Sequence, residues 1–258
     1  GDNVAIGKDA LGAATTNNNN VAIGQSALAA TDGGAEQNVA IGTSALGGAD
    51  VSGHNNIGIG NAAGDAITSG ACNIALGLNA LGASTTGCDN VAIGRLALGA
   101  GVTTGEDNVA IGATAGDAIT SGSFNVAIGF DSLSSATDNC DNIAIGRSAL
   151  AASVNDGDDN IAIGRAAMGG ADVAGADNIA VGANAMDALT SGACNIALGI
   201  NALGVATDNC ENIAIGNAAL AASANDGDFN IAIGCGAMGG ADVSGASNIA
   251  IGRVAGGA

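Results

Sequence analysis

The chain contains no proline, no tryptophan and no tyrosine, and only three phenylalanines in 258 residues. Large rings normally supply much of a core's buried area, so a core without them must be thin. Basic residues are scarce too: five Lys and Arg stand against 24 Asp and Glu, a formal charge of −19. Such a surface repels phosphate backbones and anionic headgroups, which argues against nucleic-acid and membrane-surface binding and favours solubility and cations. No apolar run approaches about 18 residues and no signal-peptide pattern is present, so no membrane insertion by this segment is expected. Histidine occurs once, at His54, with no nucleophile beside it, and Glu occurs three times. No catalytic constellation can be assembled from these residues, and the chain reads as non-enzymatic.

What the chain has in quantity is repetition. The phrase Asn, aliphatic, Ala or Gly, aliphatic, Gly is written fifteen times without a skipped copy. Its Asn residues are Asn3, Asn20, Asn38, Asn56, Asn73, Asn90, Asn108 and Asn125, followed by Asn142, Asn160, Asn178, Asn195, Asn212, Asn230 and Asn248, spaced 17 or 18 apart. A fixed short period is the mark of a repeat architecture in which each unit buries its apolar side only against its neighbours. Within Asn-Val-Ala-Ile-Gly the two aliphatic residues share one strand face and Ala takes the other. With the aliphatic pair turned inward, Val, Ile, Leu and Ala would fill a narrow tube and the outward row would be Ala and Asn. The closing Gly permits a corner shut to other residues. Ala-Leu or Ala-Met follows, as at Ala27-Leu28 and Ala167-Met168, and the rest of each unit reads as a turn and a short further strand carrying one apolar residue such as Val51 or Ile119.

Seventeen residues leave too little room for a helix, so the sequence predicts an all-β chain. Its fold is a parallel β-solenoid, a single repeat domain over 1–258 with about fifteen coils. Coils about 4.8 Å apart would make a rod on the order of 70 Å long. Stacked Asn side chains would form a structural ladder of hydrogen bonds that also satisfies turn backbone groups. Segments beyond the motif recur: Asp65 to Cys72 returns as Asp187 to Cys194, and Asn155-Asp156-Gly157-Asp158 returns as Asn225-Asp226-Gly227-Asp228, 70 residues or four coils on. Duplication of a four-coil block suffices to explain this, and a face that presents the same chemistry at intervals of about 19 Å is the functional alternative.

Charge is sorted by position. All five basic residues, Lys8, Arg95, Arg147, Arg165 and Arg253, directly follow a motif Gly, whereas acids such as Asp89, Asp141 and Asp159 directly precede a motif Asn. These rows either set the register of neighbouring chains or are a solvated corner. Cys72 and Cys88 lie 16 residues apart in consecutive coils, as do Cys194 and Cys210, so both pairs are disulfide candidates in an oxidising setting. Cys140 and Cys235 lack such a partner and are expected as free thiols or interchain bonds. Zinc lacks a ligand set. Calcium is the one cofactor left open, at Asp156 and Asp158 and at Asp226 and Asp228, because clustered carboxylates suit a hard cation.

Phrases such as Ile145-Gly146-Arg147-Ser148-Ala149-Leu150 resemble the hexapeptide of left-handed β-helix acyltransferases, but only one fits each coil. The motif as a whole, typified by Asn90-Val91-Ala92-Ile93-Gly94 and Asn108-Val109-Ala110-Ile111-Gly112, resembles the head repeat of YadA-like trimeric autotransporter adhesins. Related phrases occur in tail-fibre-like surface proteins. The resemblance spans the chain and implies a left-handed β-roll, trimerisation and an extracellular adhesive or structural role, although these coils are longer than the family's usual ones. Neither end shows a polar cap, so a longer parent protein or coverage by further copies is expected.

The leading functional expectation is an extracellular, self-assembling fibre subunit whose rods stack end to end and pack laterally through Ala- and Gly-lined faces. Its partners would be copies of itself. The alternative is an adhesin head or phage tail-fibre-type module, a homotrimer that binds a host-surface or matrix ligand. An ice-binding solenoid ranks last, because Thr is scattered rather than arrayed.

Overall fold

A computed structural model describes residues 1–13, 17–31, 34–154, 157–222, 227–240 and 245–256. The protein is an all-β parallel β-solenoid with one three-residue strand per coil, and the described residues form no helix. It divides into two compact units, Gly1–Ala127 and Ile128–Ala258. The first carries β1 (Val4–Ile6), β2 (Val21–Ile23), β3 (Val39–Ile41), β4 (Ile57–Ile59), β5 (Ile74–Leu76), β6 (Val91–Ile93) and β7 (Val109–Ile111). The second carries β9 (Ile143–Ile145), β10 (Ile161–Ile163), β11 (Ile179–Val181), β12 (Ile196–Leu198), β13 (Ile213–Ile215), β14 (Ile231–Ile233) and β15 (Ile249–Ile251), while β8 (Val126–Ile128) falls at the division.

Within each unit the strands pair in parallel and in chain order, like on like: Val21, Ala22 and Ile23 stand beside Val39, Ala40 and Ile41, and Ile161, Ala162 and Ile163 beside Ile179, Ala180 and Val181. The short further strand expected after the turn does not form among the described residues. That stretch instead bonds coil to coil through isolated backbone pairs, such as Thr68 N–H to Thr85 O at 2.9 Å and Thr190 N–H to Thr207 O at 2.8 Å.

The strand faces are the reverse of the sequence expectation. Ala22, Ala40, Ala144 and Ala162 are fully buried, whereas the Val and Ile on either side of them remain part-exposed. The coil is too narrow to hold β-branched residues on the inner face. At Gly58, where the motif has lost its Ala, even a Cβ would lie 2.9 Å from Leu46 Cγ. The core is therefore Ala with Leu or Met, as in Ala22, Ala27, Leu28, Ala45 and Leu46, together with Val51 and Ile67. Leu28, Leu46 and Leu98 adopt left-handed backbone, with φ of 49°, 47° and 47°. That conformation costs roughly 1–2 kcal/mol, and complete burial of the side chain, worth roughly 1.5–3 kcal/mol, offsets it. Where Gly64 and Gly116 replace this Leu, a Cβ would meet Ile67 Cδ1 at 3.0 Å and Ile119 Cδ1 at 3.1 Å, so Ile67 and Ile119 reach into the space that Leu vacates.

Two residues of the motif fix the stacking. The motif Gly has φ near +130°, and a Cβ on Gly146 would sit 2.5 Å from Gly164 O in the next coil. From Asn20 to Asn230 the motif Asn is buried, and it makes two kinds of bond, as at Asn56 and Asn108. Asn56 Nδ2 donates to Gly70 O at 2.8 Å, which closes its own coil, and Asn56 Oδ1 accepts the Asn73 N–H at 3.0 Å, which starts the next. Asn108 does the same with Gly122 O at 2.8 Å and Asn125 N–H at 3.0 Å.

Asn108→Ala is expected to destabilise by roughly 2–4 kcal/mol, because it strands a buried carbonyl and a buried N–H. Asn108→Asp retains the acceptor yet turns a carboxylate toward Gly122 O, so it should be no better tolerated. Gly146→Ala should cost at least about 2 kcal/mol from backbone strain and the carbonyl clash. Urea unfolding followed by circular dichroism reads all three.

Candidate functional site

The inverted strand faces place two ladders of aliphatic side chains on the outside of the solenoid. One comprises the first strand residue of successive coils, as in Val21, Val39 and Ile57 or Ile143, Ile161 and Ile179. The other comprises the third, as in Ile23, Ile41 and Ile59 or Ile145, Ile163 and Val181. Stacking covers each side chain partly from above and below, and a residue remains: Ile59 keeps 39% and Ile163 37% of its surface open. Seven strands at about 4.8 Å spacing, with two side-chain rows about 7 Å apart, give each unit an apolar strip on the order of 300 Å². The largest apolar patch on a monomeric protein is commonly of about this size and is often functional. The outward row is thus Val and Ile, not Ala and Asn. The small-residue faces expected to carry lateral packing are buried inside the coil.

Two rims border the strip. The residue before each motif Asn is exposed in every coil and, from Asn19 onward, takes left-handed backbone, φ 56° at Asp89, 58° at Asp141 and 57° at Asp159. Asp and Asn tolerate this conformation better than most residues, which explains their frequency there. Beyond the strand, the residue after each motif Gly forms the second rim, and its basic members Lys8, Arg95, Arg147, Arg165 and Arg253 are all exposed. The ion pair between Lys8 and the adjacent Asp9, at 3.9 Å, is open to solvent and weak.

The cysteines do not pair as expected. All six are thiols. Cys72 immediately precedes Asn73, whereas Cys88 lies two residues before Asn90, so their 16-residue spacing falls one short of the 17-residue coil. Stacking therefore sets Cys72 against Asp89, while Cys88 Sγ accepts the Ala71 N–H at 3.4 Å. Cys194 and Cys210 repeat the offset, with Ala193 N–H on Cys210 Sγ at 3.4 Å. The Cys72 residue is exposed, yet local desolvation of the thiol pushes its pKa up, and the Asp89 carboxylate that accepts its hydrogen bond pushes the same way. Cys235 is exposed on the second rim, and Cys140 lies beside the first, where its N–H donates to Asp158 Oδ1 at 2.7 Å.

That bond and its counterpart, Cys210 N–H to Asp228 Oδ1 at 2.8 Å, engage two of the four carboxylates considered for calcium. The other two, Asp156 and Asp226, lie outside the described residues. Among the described residues, no three His, Cys, Asp or Glu gather as metal ligands, and no helix is long and apolar enough to cross a membrane. His54, the one histidine, accepts the Glu36 N–H on Nδ1 at 3.2 Å and belongs to the coil-to-coil bonding.

Asp89→Asn should speed alkylation of Cys72 by iodoacetamide near pH 8, because removing the carboxylate lowers the thiol pKa and raises the thiolate fraction. Peptide mass spectrometry at timed quench points measures the rate. Compared with known proteins, the chain matches no family model, no curated protein and no solved structure.

Proposed function

We propose that this protein is a non-enzymatic structural subunit that associates side by side with copies of itself through the outward Val and Ile ladders, in an extracellular or cell-surface setting. The observation that carries this reading is the strip itself. Burying apolar surface is the main driving force of association, and here that surface is regular and repeated from coil to coil. Each unit offers on the order of 300 Å² before the rims are counted, which adds to the other's contribution toward the ~800 Å² per partner of a stable interface only where both strips are engaged. A second copy supplies a matching apolar strip, whose burial must outweigh the repulsion between two chains of charge −19. The regular spacing also suits a repetitive assembly better than a single concave ligand site.

The motif's likeness to the YadA-like adhesin head repeat supports the same placement outside the cell and the same use of multiple chains. An adhesive role would then be a property of the assembled surface, not of a pocket in one chain.

Ile93→Asp combined with Ile145→Asp puts one charge in the strip of each unit without touching the core. The native chain should sediment as an oligomer, and the variant should sediment as a monomer with an unchanged circular dichroism spectrum. A native chain that stays monomeric at about 100 µM, where even weak interfaces associate, overturns the reading.

A further inference from the structure

The two rims of the aliphatic strip are matched coil by coil. Four of the five coils with a basic residue on the second rim have an acid on the first: Asp2 with Lys8, Asp89 with Arg95, Asp141 with Arg147 and Asp159 with Arg165. Apolar residues follow the same rule. The motif at Asn125 is flanked by Phe124 and Phe130, that at Asn195 by Cys194 and Ile200, and that at Asn230 by Phe229 and Cys235. Amides match too, Asn19 with Gln25 and Asn55 with Asn61. No coil of the fifteen sets a charge across from Phe, Leu or Ile, and none sets like charges across from each other.

Contact within the chain does not explain this. The two rim residues of one coil are six residues apart across an extended strand, roughly 15–20 Å, far beyond ion-pair reach. Within one chain the rims are unfavourable: Asp141, Asp159 and Asp177 occupy the first rim of consecutive coils, and Arg147 and Arg165 the second. Like charges in neighbouring register about 4.8 Å apart repel one another. Both features are accounted for if the first rim of one copy lies against the second rim of another.

From this matching we infer that copies of this protein associate in parallel and in register about an axis along the stacking direction, so that each coil's first rim meets the second rim of the same coil in a neighbour. The inference rests on the association proposed above and adds its orientation and register. Rotation about an axis along the strands would instead set first rim on first rim, acid against acid. A slip of one coil would set Asp107 against Phe130 and Phe124 against Arg147. The parallel, unslipped arrangement pairs four of the eight charged coils with an opposite charge, sets the remaining four against Ala, Asn or Ser, and places every aromatic rim residue against an apolar one. The individual surface pairs are weak, and their value lies in excluding wrong registers.

Disulfide trapping in the full chain tests this, with Cys72, Cys88, Cys140, Cys194 and Cys210 replaced by Ser. Phe229→Cys sets a thiol opposite Cys235 of the neighbouring copy and should yield a reductant-sensitive covalent oligomer under mild oxidation. The chain with Cys235 alone should not. Phe229→Cys with Cys235→Ser and Asn217→Cys tests the register one coil away. It should crosslink at least about tenfold more slowly, because the extra ~4.8 Å exceeds comfortable disulfide geometry. Equal rates for the two registers, or bonds only between Cys235 residues, overturn the inference. A charge exchange checks it without thiols: Asp141→Arg and Arg147→Asp should each weaken association, and the two together should restore it. Failure of that rescue in a chain that still oligomerises overturns the register and leaves the aliphatic interface standing. A native chain that is monomeric overturns both.

Discussion

In coils such as those of Asn56 and Asn108, the solenoid is shut by one buried carboxamide that bonds in two directions. Its Nδ2 reaches a carbonyl at the far end of its own coil, as Asn56 does to Gly70, and its Oδ1 receives the N–H that begins the next coil, as from Asn73. Closure and stacking are therefore enforced by the same side chain. The carboxamide occupies interior space, and the cross-section it leaves admits only Ala on the strand's inner face. The motif Gly completes the constraint, since its backbone lies so close to the next Gly that no side chain fits between them. Thin core, small inner residues and a 17- or 18-residue period all follow from this one arrangement.

The displaced β-branched residues are what give the protein an outer face. In most half-buried sheets the larger apolar residues turn to the core and polar ones face water. Here the core is filled by Ala and by Leu in left-handed backbone, and Val and Ile stand outside in two ladders. The same geometry that limits what one chain can bury thus leaves a surface best satisfied by another chain. The rims carry the information about how that chain is placed, because they alone vary from coil to coil while the strip between them stays constant. Affinity and specificity are in this way divided between adjacent parts of one surface.

Several sequence expectations failed for a shared reason, an error of one position or one face in a periodic object. The alternation in Asn-Val-Ala-Ile carries the right period but not the side that faces inward. The signal that could have settled it was Asn itself: two residues before Ala, it shares Ala's face, and a buried ladder Asn requires that face to be inward. The cysteine pairs failed by one residue of register. Cys72 sits one position before its motif Asn and Cys88 two, which alignment on the Asn would have exposed. The further strand failed because its residues bond across coils singly and do not form a ladder. The outward packing faces of Ala and Gly failed along with the strand orientation.

The sequence by itself determined the solenoid, the coil boundaries, the Asn ladder and the glycine corners. Those features are periodic, and a repeat whose units see only identical neighbours states its constraints in every copy. Only the tertiary structure decided which face of the strand is inside, which side chains pass one another in the stack, and that the rim before the motif Asn, from Asn19 onward, has left-handed backbone. These depend on the width of the closed coil, a distance fixed when the two ends of a coil meet, and no spacing along the chain reports it.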